Sequence, residues 1–168
     1  MKAYLAGCLD SDGYFSIKRS SYHMRVRGDS GQLVYSERIG LKQVSEHVPS
    51  LLHKYFGGYY RIDKPSSRHG KPLYAWSVTD RKAISCVTIL LPYLRVKKAQ
   101  AELLIELRRL KSLPWKVIGT VARPNRWGKL VDWPHRIVDP EVIRQKDILF
   151  DKMHRLNRIN NSNTTLLI

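Results

Sequence analysis

The sequence predicts a mixed α+β fold in a single domain of 168 residues. Two observations predict it: apolar residues recur at helical spacing in some segments, and they alternate with polar residues in others. These segments follow one another in the order α-ββ-α-ββ-α, with a further helix near the C-terminus. The length suits one domain, and 43% hydrophobic residues are ordinary for a globular core.

The helices are assigned from apolar side chains at i, i+3 and i+4, and the strands from strict alternation. Glycine-rich or acidic turns separate them. The elements are predicted, in order, at residues 2–11 (helix), 14–26 and 33–44 (strands), 47–56 (helix), 59–63 and 73–79 (strands), and 81–91 and 99–110 (helices).

The last third of the chain is less regular. Residues 114–134 contain several Gly, Pro and Trp residues among basic ones, which predicts an irregular basic connection. This connection either binds a nucleic-acid backbone or packs through its tryptophans. Asp139-Pro140-Glu141 is a favourable helix start, so a helix is predicted to about Arg158. Asn160–Thr165 is predicted to be a frayed tail.

The charge of the chain is its most unusual property. Thirty Lys and Arg face 14 Asp and Glu, for a net charge of +16. The excess is spread evenly, with +7 in residues 1–84 and +9 in residues 85–168. This distribution favours an extended polyanion as partner, most simply a nucleic acid, over a merely basic protein.

Other classes are excluded by composition. Cys8 and Cys86 are too few for a disulfide scaffold or a cysteine-rich zinc site. No apolar run is long enough to span a membrane, so no membrane partner is expected. Leu5–Cys8 matches a lipoprotein cleavage box, but only four residues precede it. We therefore expect an intracellular protein with free thiols.

The segment from Leu5 to Gly13 carries the most specific chemistry. Ala3, Gly7 and Ser11 are small residues spaced four apart on one side of the first helix, so a second helix could approach closely. If that helix belongs to a second copy, two Asp12 carboxylates would meet near a two-fold axis. Carboxylates in a basic protein suit Mg²⁺, which prefers oxygen ligands and phosphate.

This segment resembles the signature of the LAGLIDADG homing endonucleases. It matches that signature at Leu5, Ala6, Gly7, Asp10, Asp12 and Gly13. The element order over about residues 1–112 is also similar to the αββαββα core of that family, which leaves 113–168 as a C-terminal extension. The motif occurs once, and single-motif members of the family act as homodimers.

The resemblance implies a function. It implies a four-stranded antiparallel saddle sheet on double-stranded DNA, and a site-specific double-strand endonuclease encoded by a mobile intron. Such a homodimer hydrolyses phosphodiesters at a long pseudo-palindromic site. The expected cofactor is Mg²⁺, with Mn²⁺ or Ca²⁺ able to occupy the same site, and no small-molecule cofactor is expected.

The resemblance also implies roles for individual residues. Asp12 would be the metal-binding catalytic carboxylate, Ser11 would lend its backbone carbonyl, and Asp10 would cap a helix. Lys97 would be the catalytic cation and Gln43 would orient water, with Lys98 and Glu46 as their respective competitors. Where relatives often carry an arginine, this sequence offers only His47, and that role stays unassigned.

The strands supply the expected DNA-binding surface, since a two-stranded ribbon fits the major groove. Alternation places polar residues on one side of each strand, and two arginines flank the first hairpin. The predicted DNA-binding residues are Ser16, Lys18, Ser20, Tyr22, Arg25, Arg27, Ser36, Arg38, Lys42, Tyr59 and Arg61.

Two alternatives remain open at this point. One is a relative that binds DNA or RNA without cleaving it, such as an intron RNA maturase. The other is a helical DNA-binding regulator built on the basic helix 139–158, against which the lack of a compact helix-turn-helix spacing argues. An intact Asp12 favours the enzyme, because a protein that only binds phosphate has no need of an acid beside it.

Overall fold

The computed structural model describes residues 1–22, 32–65, 70–114, 116–137 and 139–165. Five α-helices and six strands lie within these residues. In chain order they are α1 (Lys2–Ser11), β1 (Gly13–Tyr22), β2 (Gln32–Gln43), α2 (His47–Phe56), β3 (Tyr59–Asp63), β4 (Leu73–Thr79), α3 (Asp80–Leu90), α4 (Lys98–Lys111), β5 (Lys116–Pro124), β6 (Leu130–Ile137) and α5 (Pro140–Thr165).

The first four strands form one antiparallel sheet in the order β1-β2-β4-β3. Strands β5 and β6 form a separate two-stranded sheet. The predicted α+β class, the αββαββα order and the four-stranded antiparallel sheet are therefore confirmed. The sheet is covered by helices on one face only, which leaves the other face for a partner.

The core lies between that covered face and the helices. Phe15, Ile39 and Trp76 point from the sheet into the core and are at most 1% exposed. Leu5 and Leu9 of α1 and the leucines of α4 close it from the other side. Alternation thus buries the odd-numbered residues 13–17 of β1 and 35–41 of β2 beneath the helices, and the side chains at even-numbered positions point to the other face.

One charged side chain is buried within this apolar layer. Glu37, on the covered face of β2, is 0% exposed. Its Oε2 accepts hydrogen bonds from Arg108 and Lys111 of α4, both at 2.8 Å. Lys111 also donates to Asp80 at 3.0 Å. The network ties the middle of the sheet to α4 and to the start of α3.

We expect Glu37→Gln to destabilise the fold by up to roughly 3–5 kcal/mol, because Arg108 and Lys111 lose their buried counter-charge and keep only the half-exposed Asp80. The measurement is urea unfolding. Glu106→Gln is the matched control, since the exposed Glu106–Arg109 pair is worth less than about 1 kcal/mol. Equal effects for the two variants would contradict a structural role for the buried network.

The long helix α5 docks on the covered face as well. Tyr35 and Arg19 both donate to the Asp147 carboxylate, at 2.6 and 2.9 Å. Asn157 donates to the Phe15 carbonyl oxygen at 3.0 Å, and Met153 is buried. Burial and the Asp147 hydrogen bond raise the pKa of Tyr35, so its hydroxyl stays a donor at neutral pH.

Three details of the sequence interpretation were wrong. Residues 114–134 are not an irregular connection but include most of a paired hairpin, β5–β6. The segment Asn160–Thr165 is not a frayed tail, since α5 continues to Thr165 and no Gly or Pro interrupts it after Pro140. The helix predicted at 81–91 begins one residue earlier, at Asp80, which has φ 53° and follows Thr79.

Two smaller findings concern membrane helices and thiols. None of the helices in the described ranges is long and apolar enough to cross a bilayer. Cys8 and Cys86 are free thiols, and burial raises the pKa of Cys86 to about 12.

Candidate functional site

The end of α1 places Asp12 at a fixed point beside the sheet. The Asp12 amide closes the helix by donating to the Cys8 carbonyl at 3.0 Å. Gly13 then begins β1 directly, and a Cβ there would lie 2.6 Å from the Leu9 carbonyl oxygen. Only glycine allows the strand to pass this close to the helix. The exposed Asp12 carboxylate is thereby held at the edge of the sheet.

Gln43, the last residue of β2, meets this carboxylate. Its Nε2 donates to Asp12 Oδ2 at 2.5 Å. Both residues line an open cavity of about 700 Å³, and His47 at the start of α2 lines the same cavity. Glu46, the competitor of Gln43, instead accepts a hydrogen bond from Tyr60 at 2.9 Å. The structure therefore brings Gln43, and not Glu46, to Asp12.

Asp10 and Lys97 form a reciprocal set of contacts, which we call the clasp. The Asp10 carboxylate accepts from the Arg95 and Lys97 amides at 2.7 and 2.9 Å. Lys97 Nζ donates in return to the carbonyl oxygens of Leu9, Asp10 and Ser11, at 3.0, 2.6 and 3.1 Å. Asp10 therefore holds the segment before α4, while Lys97 caps the end of α1.

The position of Lys97 differs from that of a solvated lysine. Burial lowers its pKa, and the nearby Asp10 and Asp12 carboxylates offset part of that shift. The ammonium lies directly behind the helix end that bears Asp12, where it adds positive charge to the partly negative C-terminus of the helix. Lys98, its competitor in the sequence, is exposed as the first residue of α4.

The predicted contact face of α1 is exposed in the single chain. Ala3, Gly7 and Ser11 are all exposed, and the Ser11 hydroxyl donates to the Cys8 carbonyl at 3.1 Å. A Cβ built on Gly7 meets no atom within 4 Å. Nothing in the described part of the chain covers this stripe.

The uncovered sheet face carries those predicted DNA-binding residues whose side chains the structure describes. Residues that pair across neighbouring strands share a face, so the register shows which side chains lie together. Ser16 pairs with Arg38, Lys18 with Ser36, and Lys42 with Ala75, which in turn pairs with Arg61. Ser20 and Tyr59 fall on the same face through their pairs with Val34 and Ser77. The pairing register thus places these residues on one face of the sheet.

Sequence reasoning missed two residues of this face. Asp63 forms ion pairs of 2.6 Å with both Lys42 and Arg61, and these cations lower its pKa, with Lys42 contributing most. Tyr14 lies under the Arg38 guanidinium, 5.5 Å from carbon to ring centre. Tyr14 could have been found, because it shares the parity of Ser16 and Lys18.

The fold was compared with known proteins. No family model matches the sequence, and no curated protein matches it. Among solved structures, homing endonuclease I-CvuI in complex with a DNA target is 21% identical, with a TM-score of 0.61 over 92% of this chain and 80% of that one. The archaeal intron-encoded homing endonuclease I-Vdi141I, complexed with DNA, is 15% identical, with a TM-score of 0.60 over 92% and 82%. This chain has the fold of the LAGLIDADG homing endonucleases.

The end of α1 carries the residues of this chain that could hold a metal ion. Among the described residues, no group of three or more His, Cys, Asp and Glu side chains could hold a metal ion. The Asp12 carboxylate and the Ser11 carbonyl are oxygen donors of the kind that Mg²⁺ prefers. One carboxylate and one carbonyl leave a divalent cation with too few protein ligands.

Three of the predicted DNA-binding residues are described only in part or not at all. Arg25 and Arg27 lie outside the described residues. Tyr22 ends β1, and its backbone pairs with Gln32. Their predicted roles on DNA stay predictions.

We expect Lys18→Ala and Arg38→Ala each to weaken binding mainly through one base pair of the site and to remove the base preference there. Each residue is exposed on the uncovered face, and a bidentate contact to guanine is worth about 1–3 kcal/mol at one base pair. The measurement is binding to a panel of single-base site variants. A uniform loss across the panel would assign that residue to phosphate instead of a base.

Proposed function

We propose that this chain is a site-specific, Mg²⁺-dependent double-strand DNA endonuclease, encoded by a mobile intron and active as a homodimer. One observation carries the proposal. The exposed Asp12 carboxylate accepts a hydrogen bond from Gln43. It lies where the exposed stripe of small residues on α1 meets the polar, uncovered face of the sheet. Each part of that arrangement has a use in phosphodiester hydrolysis.

The sheet face suits duplex DNA. Its cations and hydroxyls stand on neighbouring strands, and a β-ribbon of this kind fits the major groove. Asp63 holds Lys42 and Arg61 in fixed positions, which lowers the entropy lost when they bind phosphate or a base. The DNA in the two homing-endonuclease complexes supports the same partner for this face.

The homodimer follows from the incomplete metal site. A second copy packed along Ala3, Gly7 and Ser11 would bring a second Asp12 to the first, and two carboxylates with two carbonyls suit a divalent cation. The exposed stripe leaves room for that approach.

Each residue at the site would have its own role in phosphodiester hydrolysis. Asp12 and the Ser11 carbonyl would hold Mg²⁺, which when bound offsets negative charge on the scissile phosphate. The Gln43 amide orients the Asp12 carboxylate and a neighbouring water. Lys97 fixes the helix end and places a positive charge close to the carboxylate.

The proposal is tested with a supercoiled plasmid library that carries random sites. The parent protein with Mg²⁺ should linearise a subset of plasmids, and chelation should stop it. A protein that retards DNA without cutting any member of the library would favour the binding-only alternative, such as an RNA maturase.

The charge of the chain predicts a steep salt dependence. If 6–10 phosphates are neutralised, affinity for duplex DNA should fall by about 10³–10⁵ between 50 and 200 mM salt. Fluorescence anisotropy over that range gives the slope. A flat response would mean that the +16 charge serves something other than DNA.

A further inference from the structure

The tip of the β5–β6 hairpin, residues 125–129, presents a tryptophan to solvent. Trp127 is 82% exposed, more than any other large apolar side chain among the described residues. An indole offers large apolar area and a hydrogen-bond donor, and it gains from burial against a partner. Nothing in the core or at the Asp12 site explains its position.

Hydrogen bonds define the conformation of the tip. The Asn125 side-chain oxygen accepts hydrogen bonds from the amides of Trp127 and Lys129, at 2.9 and 3.0 Å. Gly128 donates to the Asn125 carbonyl at 3.0 Å and adopts φ 78°, which favours glycine. The turn therefore holds Arg126, Trp127 and Lys129 together at its apex.

The charge around the tip indicates the chemistry of the partner. Residues 116–137 contain five Lys or Arg and one acid, so the hairpin is strongly basic. The tip itself carries Arg126 and Lys129 on either side of Trp127, and all three are exposed. An apolar wedge flanked by basic residues suits the DNA minor groove, where such side chains contact sugars and base edges while cations meet phosphate.

The hairpin begins near the start of β2. Pro114 and Asp139, which precede and follow it, line a cavity of about 190 Å³ with Leu33 and Val34 of β2 and with residues of α4 and α5. The opposite end of β2 is Gln43, at Asp12. At about 3.3 Å per residue, the 12-residue strand separates the two ends by roughly 36 Å.

We propose that the hairpin tip is a second DNA-binding element, in which Trp127 enters the minor groove and Arg126 and Lys129 bind phosphates flanking the segment contacted by the sheet. The inference rests on the proposed binding of duplex DNA. It assigns a role to a segment that lies outside the αββαββα core. The eight residues of β6 reach about 23 Å, or about seven base pairs at 3.4 Å each.

The test is affinity against duplex length. For the parent, affinity should continue to rise as each end of a minimal duplex is extended by up to about seven base pairs. The double variant Arg126→Ala/Trp127→Ala should bind the minimal duplex as tightly as the parent does. It should bind the extended duplex about tenfold more weakly, which is at the lower end of the affinity loss for one aromatic–base contact.

The matched control removes the same two side-chain types elsewhere. Lys54→Ala/Tyr55→Ala deletes an exposed cation and an exposed aromatic residue from α2, on the helical side, and should follow the parent at every length. Asn125→Ala keeps Trp127, both charges and the backbone hydrogen bonds of the turn but removes its two side-chain hydrogen bonds, so it should lose part of the extension gain.

Three outcomes would overturn the inference. Identical length profiles for parent and tip variant would remove the tip from the DNA interface while leaving the proposed function intact. Loss of dimer in sedimentation by the tip variant, with an unchanged profile, would assign Trp127 to an interface between copies. A parent that binds no duplex at any length would end both proposals together.

Discussion

Asp12→Asn is expected to abolish strand cleavage while leaving DNA binding intact. The substitution keeps the size of the side chain, and the exposed asparagine can still accept a hydrogen bond from Gln43. It removes the negative charge that would hold Mg²⁺. Loss of an essential metal ligand should reduce single-turnover cleavage by at least about 10³-fold, the scale of several kcal/mol of charge stabilisation.

Binding of the Asp12→Asn protein should equal or exceed that of the parent, since one like charge no longer faces phosphate. Gel-shift affinity and cleavage are measured on the same site. Asp151→Asn, an identical change at an exposed position of α5, controls for the altered net charge and should cut normally. Cleavage at the parent rate by Asp12→Asn would refute its assignment as metal ligand.

Gly7→Leu is expected to convert the dimer to a monomer and to abolish double-strand cleavage. A leucine at this position projects into open space in the single chain, because a Cβ on Gly7 meets nothing within 4 Å. Replacing a mid-helix glycine should also favour the helix by about 0.5–1 kcal/mol. The chain should therefore stay folded while a second helix is pushed away from the stripe.

Sedimentation equilibrium and plasmid cleavage measure the two effects. Ser85→Leu adds the same side chain to an exposed position on α3 and should leave both properties unchanged. Circular dichroism reports whether the Gly7→Leu chain keeps its helices. A Gly7→Leu protein that stays dimeric and cuts both strands would show that the copies do not meet through α1.

Periodicity was sufficient to predict the core elements and the uncovered face. Alternation along β1 and β2 separates Phe15 and Ile39 from Lys18 and Arg38, and antiparallel pairing then brings outward residues together. These patterns are local, so the sequence contains them. The short motif at the end of α1 likewise marks Asp12, because a glycine must follow where the strand passes close to the helix.

The features that sequence analysis missed depend on residues far apart in the chain or on strand positions that tolerate proline. Glu37 occupies a core-facing position that is compatible with charge only because Arg108 and Lys111 arrive from α4. The β5–β6 hairpin was missed because its glycine and prolines indicate loops. In a two-stranded sheet both strands are edges, where Pro124 and Pro134 are tolerated.

The clasp between Asp10 and Lys97 has a consequence for synthesis of the chain. Its partners are 87 residues apart, so the end of α1 stays uncapped until the second partner has been made. At about 5–20 residues per second, that interval is roughly 4–17 s. During it the carbonyl oxygens of Leu9, Asp10 and Ser11 lack the Lys97 ammonium that binds them in the folded chain. The proposed site would therefore be complete only after residue 97 of the 168 has been translated.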